Sequence, residues 1–158
     1  MLVMIKVLFV CLGNICRSPM AEAMFRQMVA DHHLTDQIIV DSAGTSNEEE
    51  GNPVHPGTRK ILTKYHLSAD GLISRPLTTT DFATADYLIC MDDMNLAHVQ
   101  QMAPADSHAA LYAIFDLIPN KKGQEIPDPW YTHRFQDTYD SLALALPSWL
   151  AFFEQQLN

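Results

Sequence analysis

Cysteine is scarce in this chain, with three in 158 residues. Three cannot build a disulfide framework, and the spacings of Cys11, Cys16 and Cys90 lack the second ligand pair a zinc site would use. A reactive thiol kept reduced in a cytoplasmic setting suits the count better. Basic residues are scarce too. Ten Lys and Arg stand against nineteen Asp and Glu, for a formal net charge of −9. That excludes the broad basic surface that nucleic acid requires. An anion would have to be recognised by local groups, not by long-range steering. No apolar run reaches the length of a transmembrane helix, so no membrane partner is expected. The apolar opening over residues 1–10 is interrupted by Lys6 and lacks a small-residue cleavage site, so it reads as a core strand and not as a signal peptide. Repeats, low-complexity tracts and interdomain linkers are missing as well. At 47% hydrophobic residues, the chain fits one domain over residues 1–158 with a substantial core.

What is present concentrates in Val10-Cys11-Leu12-Gly13-Asn14-Ile15-Cys16-Arg17-Ser18-Pro19. β-formers precede it (Ile5, Val7, Leu8, Phe9) and a helical pattern follows. Ser18 suits an N-cap, Pro19 the first helical position, and Glu22 the first turn. A tight loop between strand and helix turns backbone N–H groups inward and receives the positive end of the helix dipole. The backbone of Leu12 through Ser18 would thus cradle an anion. Gly13 allows close approach, and Asn14 tolerates a left-handed conformation. Arg17 presents a planar fork matched to two phosphoryl oxygens. Cys11, among amide donors and a guanidinium, is favoured as the thiolate and lies beneath a bound phosphate, placed for in-line attack.

Strand-like and helix-like stretches alternate along the chain, which predicts a parallel sheet with helices on both faces. Strands are expected at Ile5–Val10, Ile38–Val40, Tyr87–Met91 and Ala110–Phe115. Helices are expected at residues 19–31, 56–65, 92–102 and from Phe135 onward, the last with Pro147 as a kink. Thr80 and Asp81 read as caps of a short turn. Residues 46–54 read as a solvated loop, and His55 as a surface residue. The fold class is a flavodoxin-like doubly wound domain with its ligand loop after strand one. Cys11, Ser42 and Asp92 then fall together at the carboxyl edge of the sheet. Residues 116–133 form a loop too long to be an idle connection. In it, Asp128 stands between two prolines and is the candidate general acid, ahead of Asp92 and Asp116. Trp130 and Tyr131 beside it would wall a slot for an aromatic ring, with Ile15 as an apolar floor contact.

The segment Cys11–Pro19 resembles the phosphate-binding loop of the low-molecular-weight protein-tyrosine phosphatases. The similarity extends through Asp41-Ser42-Ala43-Gly44-Thr45, Asp81-Phe82-Ala83, Cys90-Met91-Asp92 and Ile126-Pro127-Asp128-Pro129-Trp130. The resemblance implies a four-stranded parallel sheet and hydrolysis of phosphotyrosine in protein substrates, with inorganic phosphate released and no cofactor. In that reading Cys11 is the nucleophile, Arg17 the phosphate clamp, and Asp128 the general acid and then base. Ser18 donates to the Cys11 sulfur, while Asn14 and Ser42 hold the loop open. Cys16 can pair with the nucleophile on oxidation, or simply pack beneath the loop. Two departures stand out. Gly71-Leu72-Ile73 replaces a segment where the family often carries a supporting His, and Ser46-Asn47-Glu48-Glu49-Glu50 replaces an aromatic wall. Two other activities of the same fold compete. A protein-arginine phosphatase typically has Thr where Ile15 stands, and an arsenate reductase needs a pair of downstream cysteines where only Cys90 is present. A non-catalytic phosphate-binding module would leave Cys11 and Asp128 without a task.

Overall fold

The computed structural model describes residues 4–158. Its frame is a sheet of β1 (Ile5–Cys11), β2 (Ile38–Gly44), β3 (Tyr87–Cys90) and β4 (Ala110–Ala113), all parallel, in the order β2-β1-β3-β4. The central strand β1 is apolar nearly throughout because it is covered on both faces. Successive side chains alternate between two cores. On one face Val7 and Phe9 pack with Met20 and Phe25 of α1 (Arg17–Asp31) and with Trp149 and Phe153 of α6 (Phe135–Leu157). On the other, Leu8 and Val10 pack with Phe82 of α3 (Thr79–Thr84) and Val99 of α4 (Asp93–Met102). The remaining helices are α2 (Pro56–Lys64) and the single turn α5 (Pro129–Thr132).

The expected fold class is therefore found, with the chain reversing its winding between β1 and β3. At that switch point the ends of β1, β2 and β3 lie side by side, Cys11 beside Gly44 and Val10 beside Cys90. The last helix runs on through Pro147, which sits on its exposed side. Trp149 is fully buried, and its indole N–H donates to the Ile114 carbonyl at 2.9 Å, so its one polar atom is satisfied.

Four local expectations are corrected. Helix α1 begins at Arg17, so Ser18 is not its N-cap and Pro19 is not its first residue. Cys16 occupies the cap position with no side-chain bond, and no acidic residue lies in the first turn. Glu22 is instead buried in the next turn. The short helix α3 is capped from Thr78, whose backbone N–H donates to Asp81 at 2.8 Å, and not from Thr80. His55 is not a bystander on the surface. Its Nδ1 accepts from Gly57 N at 2.9 Å and caps α2, while its ring stacks on Phe135 at 4.9 Å. Nor is the 46–54 segment merely solvated. Val54 is buried, Pro53 bridges Ile73, and Gly51 N donates to the Ser74 carbonyl at 2.8 Å.

Candidate active site

The loop after β1 is held open by a chain of buried side chains. Asn14 adopts the left-handed backbone expected of it, at φ 57°. Its Nδ2 donates to Ser18 Oγ at 2.8 Å and to Ser42 Oγ at 2.9 Å, while its Oδ1 accepts from Arg75 N at 3.0 Å. The amide is thus used at both ends. Ser42 passes its own hydroxyl hydrogen to Glu22 at 2.6 Å. Ser18 accepts from Asn14, which leaves its hydroxyl hydrogen for the Cys11 sulfur 3.0 Å away. The Ser18 backbone N–H points at the same sulfur from 3.4 Å. Ser18 failed as an N-cap because its hydroxyl is spent here. The uncapped start of α1 leaves backbone donors facing the cradle.

Arg17 is 2% exposed and is held chiefly through Nη1. Its Nη1 donates to Asp92 at 2.6 Å and to the Ile126 carbonyl at 2.9 Å. Nη2 lies 3.5 Å from Asp128 Oδ2, and Nε is buried with no partner among the described residues. A buried orphan donor is costly unless something fills its place, and the Nε–Nη2 edge of the fork suits two oxygens of an anion. Burial works against the charged guanidinium. The Cys11 sulfur, Asp92 and Asp128 more than offset it and hold Arg17 above its ordinary value.

The three candidate acids separate cleanly. Asp116 accepts from Ala113 N at 2.8 Å and serves a turn. Asp92 accepts from Asn95 N at 2.7 Å as the cap of α4, and it orients Arg17. Asp128 shares a pocket with Cys11, Leu12, Gly13, Ile15, Cys16, Trp130 and Tyr131. Its Oδ1 is fixed by Trp130 N at 3.1 Å as the cap of α5, while Oδ2 faces Arg17. Trp130 and Tyr131 are exposed and form one wall of that pocket, with His55 against Trp130 at 5.5 Å. Ser46, Glu48 and Glu49 form the other.

Sequence reasoning overlooked the scaffold behind the loop. A Cβ on Gly44 would sit 2.7 Å from the Leu12 carbonyl oxygen, so the end of β2 must be glycine for the loop to close against it. Ser74 Oγ donates to the Gly13 carbonyl at 2.8 Å, from the segment that lacks the family's His. The Arg75 backbone serves both Asn14 and Gly44 N, the latter at 2.9 Å. Its guanidinium grips Asp41 at 2.9 Å and Asp81 at 3.0 Å. These contacts join segments far apart in the chain, so no local spacing announces them.

A profile of the family described as low molecular weight phosphotyrosine protein phosphatase matches residues 6–158. The chain belongs to this family. It is 38% identical over 153 residues to the low molecular weight protein-tyrosine-phosphatase YfkJ of Bacillus subtilis, covering 97% of this chain and 98% of that one. The crystal structure of YfkJ superimposes with a TM-score of 0.93 over 98% of both chains. Identity to the phosphatase PtpA of Staphylococcus aureus is 37% over 155 residues, or 98% of this chain and 97% of that one. A Drosophila arginine phosphatase structure has a TM-score of 0.87 at 28% identity, covering 94% of this chain and 98% of that chain.

Within this member of the family the other two thiols are muted. Burial pushes the Cys16 thiol up to about 12, with Cys11, Asp128 and Glu49 adding to the push and Arg17 opposing it. Burial also pushes Cys90 upward, and that residue is fully enclosed in the core on the α4 side of the sheet. Limited alkylation with iodoacetate at neutral pH should therefore label Cys11 alone, as read by peptide mass mapping. Cys16 should join only in strongly alkaline solution. Label divided evenly between Cys11 and Cys16 at neutral pH would contradict the arrangement.

Proposed function

We propose that this chain, as a single domain over residues 1–158, hydrolyses phosphotyrosine monoesters in proteins through a cysteinyl-phosphate intermediate. The observation that carries the reading is one pocket lined by both Cys11 and Asp128, with Nη2 of Arg17 3.5 Å from Asp128 and the Arg17 Nε buried without a partner among the described residues. In the first step the Cys11 thiolate attacks phosphorus. The bond to the phenolic oxygen breaks, and Asp128 gives that oxygen its proton. In the second, the Asp128 carboxylate takes a proton from water as the water attacks the cysteinyl phosphate. Inorganic phosphate leaves and the thiolate returns. The backbone of Leu12 through Ser18 and the Arg17 fork hold the three equatorial oxygens where charge concentrates. Ser18 supports the sulfur as nucleophile and as leaving group, and Asn14 and Ser42 keep the loop shaped for both. Trp130, Tyr131 and Ile15 contact the ring.

The competing activities find less support. Ile15 lines the pocket where an arginine phosphatase would present a hydroxyl, and Cys90 lies on the opposite face of the sheet from Cys11. Cys16 lines the same pocket as Cys11, which supports its reading as the redox partner of the nucleophile. Three unpaired thiols accord with a reducing, cytoplasmic setting. No helix among the described residues is long and apolar enough to cross a membrane. The purified protein, given a phosphotyrosine peptide, a phosphoarginine peptide and arsenate with thiol in parallel, should release phosphate chiefly from the first and stop when vanadate is added. Faster release from phosphoarginine, or thiol-dependent arsenate reduction, would overturn the assignment.

A further inference from the structure

We infer that the mouth of the pocket selects phosphotyrosines flanked by Lys or Arg and disfavours those in acidic segments, through Glu48 and Glu49. The inference rests on the phosphotyrosine reading above and names the class of sequence that the same site accepts.

The two walls differ in kind. Trp130 and Tyr131 offer aromatic surface, which suits the ring of the substrate. Glu48 and Glu49 line the same pocket from the segment that follows β2. Glu49 lies directly over the phosphate loop, because a Cβ on Gly13 would meet its Cγ at 3.4 Å. Its carboxylate accepts from Asn52 Nδ2 at 2.8 Å, which holds the charge at the rim. Its charge also reaches the cradle, since it is among the causes that push up the Cys16 thiol.

This acidic wall is a fixed part of the structure. Ser46 N donates to the Leu12 carbonyl at 3.0 Å, Asn52 N to the Glu49 carbonyl at 2.9 Å, and Ser74 N to the Asn52 carbonyl at 2.9 Å. The buried Nε of Arg17, unpartnered among the described residues, is the donor that a phosphoryl oxygen would fill. A phosphotyrosine seated there must send its backbone out between the two walls, so its neighbours pass the glutamates.

None of the pocket-lining residues is Lys or Arg, and Arg17 is committed to Asp92, Asp128 and the phosphate. The chain as a whole carries −9, so acidic segments meet repulsion at long range too. Exposed charges at the mouth interact through water and are screened by salt, so the expected difference between Lys-flanked and Glu-flanked peptides is about tenfold at low salt.

The test compares kcat/KM for phosphotyrosine peptides identical except for Lys, Ser or Glu on both sides of the phosphotyrosine, at low and high salt. It uses the intact protein and the Glu48→Gln/Glu49→Gln variant, in which glutamine keeps the size and the acceptor for Asn52. Lys above Ser above Glu by about tenfold overall, shrinking with salt and in the double variant, supports the inference. Equal rates, a preference for Glu, or a preference that survives unchanged in the double variant overturns it. Hydrolysis of p-nitrophenyl phosphate by the intact protein, measured alongside, reports on the activity itself. If that hydrolysis is absent, the phosphatase reading fails and the inference falls with it.

Discussion

Replacing Cys11 by Ser lowers turnover of an aryl phosphate by about 10⁴-fold or more, while the protein still binds inorganic phosphate. The substitution exchanges sulfur for oxygen in a site otherwise unchanged. A serine hydroxyl stays protonated in this cradle, and no residue within reach is placed to take its proton. In the proposed mechanism Asp128 serves the leaving group, and Ser18 already shares a hydrogen with position 11. Binding survives because its donors lie elsewhere, in the loop backbone and the free edge of Arg17. The check is a pair of measurements on one preparation, steady-state rates with p-nitrophenyl phosphate and phosphate affinity by calorimetry. Turnover within tenfold of the intact protein would remove Cys11 from its role.

The second large effect belongs to Asp128→Asn. General acid catalysis is worth about 10²–10⁴ in rate, but only where the leaving oxygen needs the proton. The loss should be greatest for phenyl phosphates with basic leaving groups and smallest for strongly activated nitrophenyl esters. Asparagine keeps an oxygen to accept from Trp130 N, so the turn that starts α5 survives and the defect is chemical. Plotting log kcat/KM against leaving-group basicity for both proteins provides the test. A steeper dependence in the variant is expected. Parallel lines would show that Asp128 does not protonate the leaving group. The companion substitution Asp92→Asn separates the acids, since both Asp92 oxygens are already engaged, one by Arg17 and one by Asn95 N at the start of α4.

Much of this site was legible in the sequence because its chemistry is local. The cradle is one contiguous stretch, and the run of β-formers before it fixes which end of the sheet it occupies. The parallel sheet with helices on both faces followed from the alternation of strand-like and helix-like stretches. The failures share a physical cause. Ser18 carries every mark of an N-cap, yet its hydroxyl turns to the Cys11 sulfur seven residues before it. Glu22 was displaced from the first turn when the helix start moved to Arg17, and it anchors Ser42 from the core side, where burial pushes its carboxyl upward against the Ser42 bond and Arg26. Gly44, Ser74 and Arg75 support the loop across the fold, and residues so placed leave no periodic signal. The 46–54 segment, rich in Glu and Asn, had the composition of solvated loop. It became a wall because its backbone is pinned to Leu12 and Ser74.

Arg17 pairs with two carboxylates, those of Asp92 and Asp128. A lone guanidinium buried beside a thiolate would be free to swing toward it. Asp92 and the Ile126 carbonyl hold Nη1 instead, so the edge that meets phosphate is set before substrate arrives. The long connection after β4 is fastened for the same purpose, with Ile126 N donating to the Met91 carbonyl at 3.0 Å at the end of β3. One carbonyl thus ties the acid's loop to the clamp's geometry.

Covalent transfer to sulfur can be watched without any organic substrate. If Cys11 takes the phosphoryl group and water removes it, the same steps run backward with inorganic phosphate, and each cycle exchanges a phosphate oxygen with solvent. Heavy-oxygen-labelled phosphate incubated with the intact protein should lose its label to water, and the Cys11→Ser protein should bind that phosphate and leave the label in place. Aryl phosphate hydrolysis without any exchange, or exchange that continues in the serine variant, would contradict a cysteinyl-phosphate mechanism.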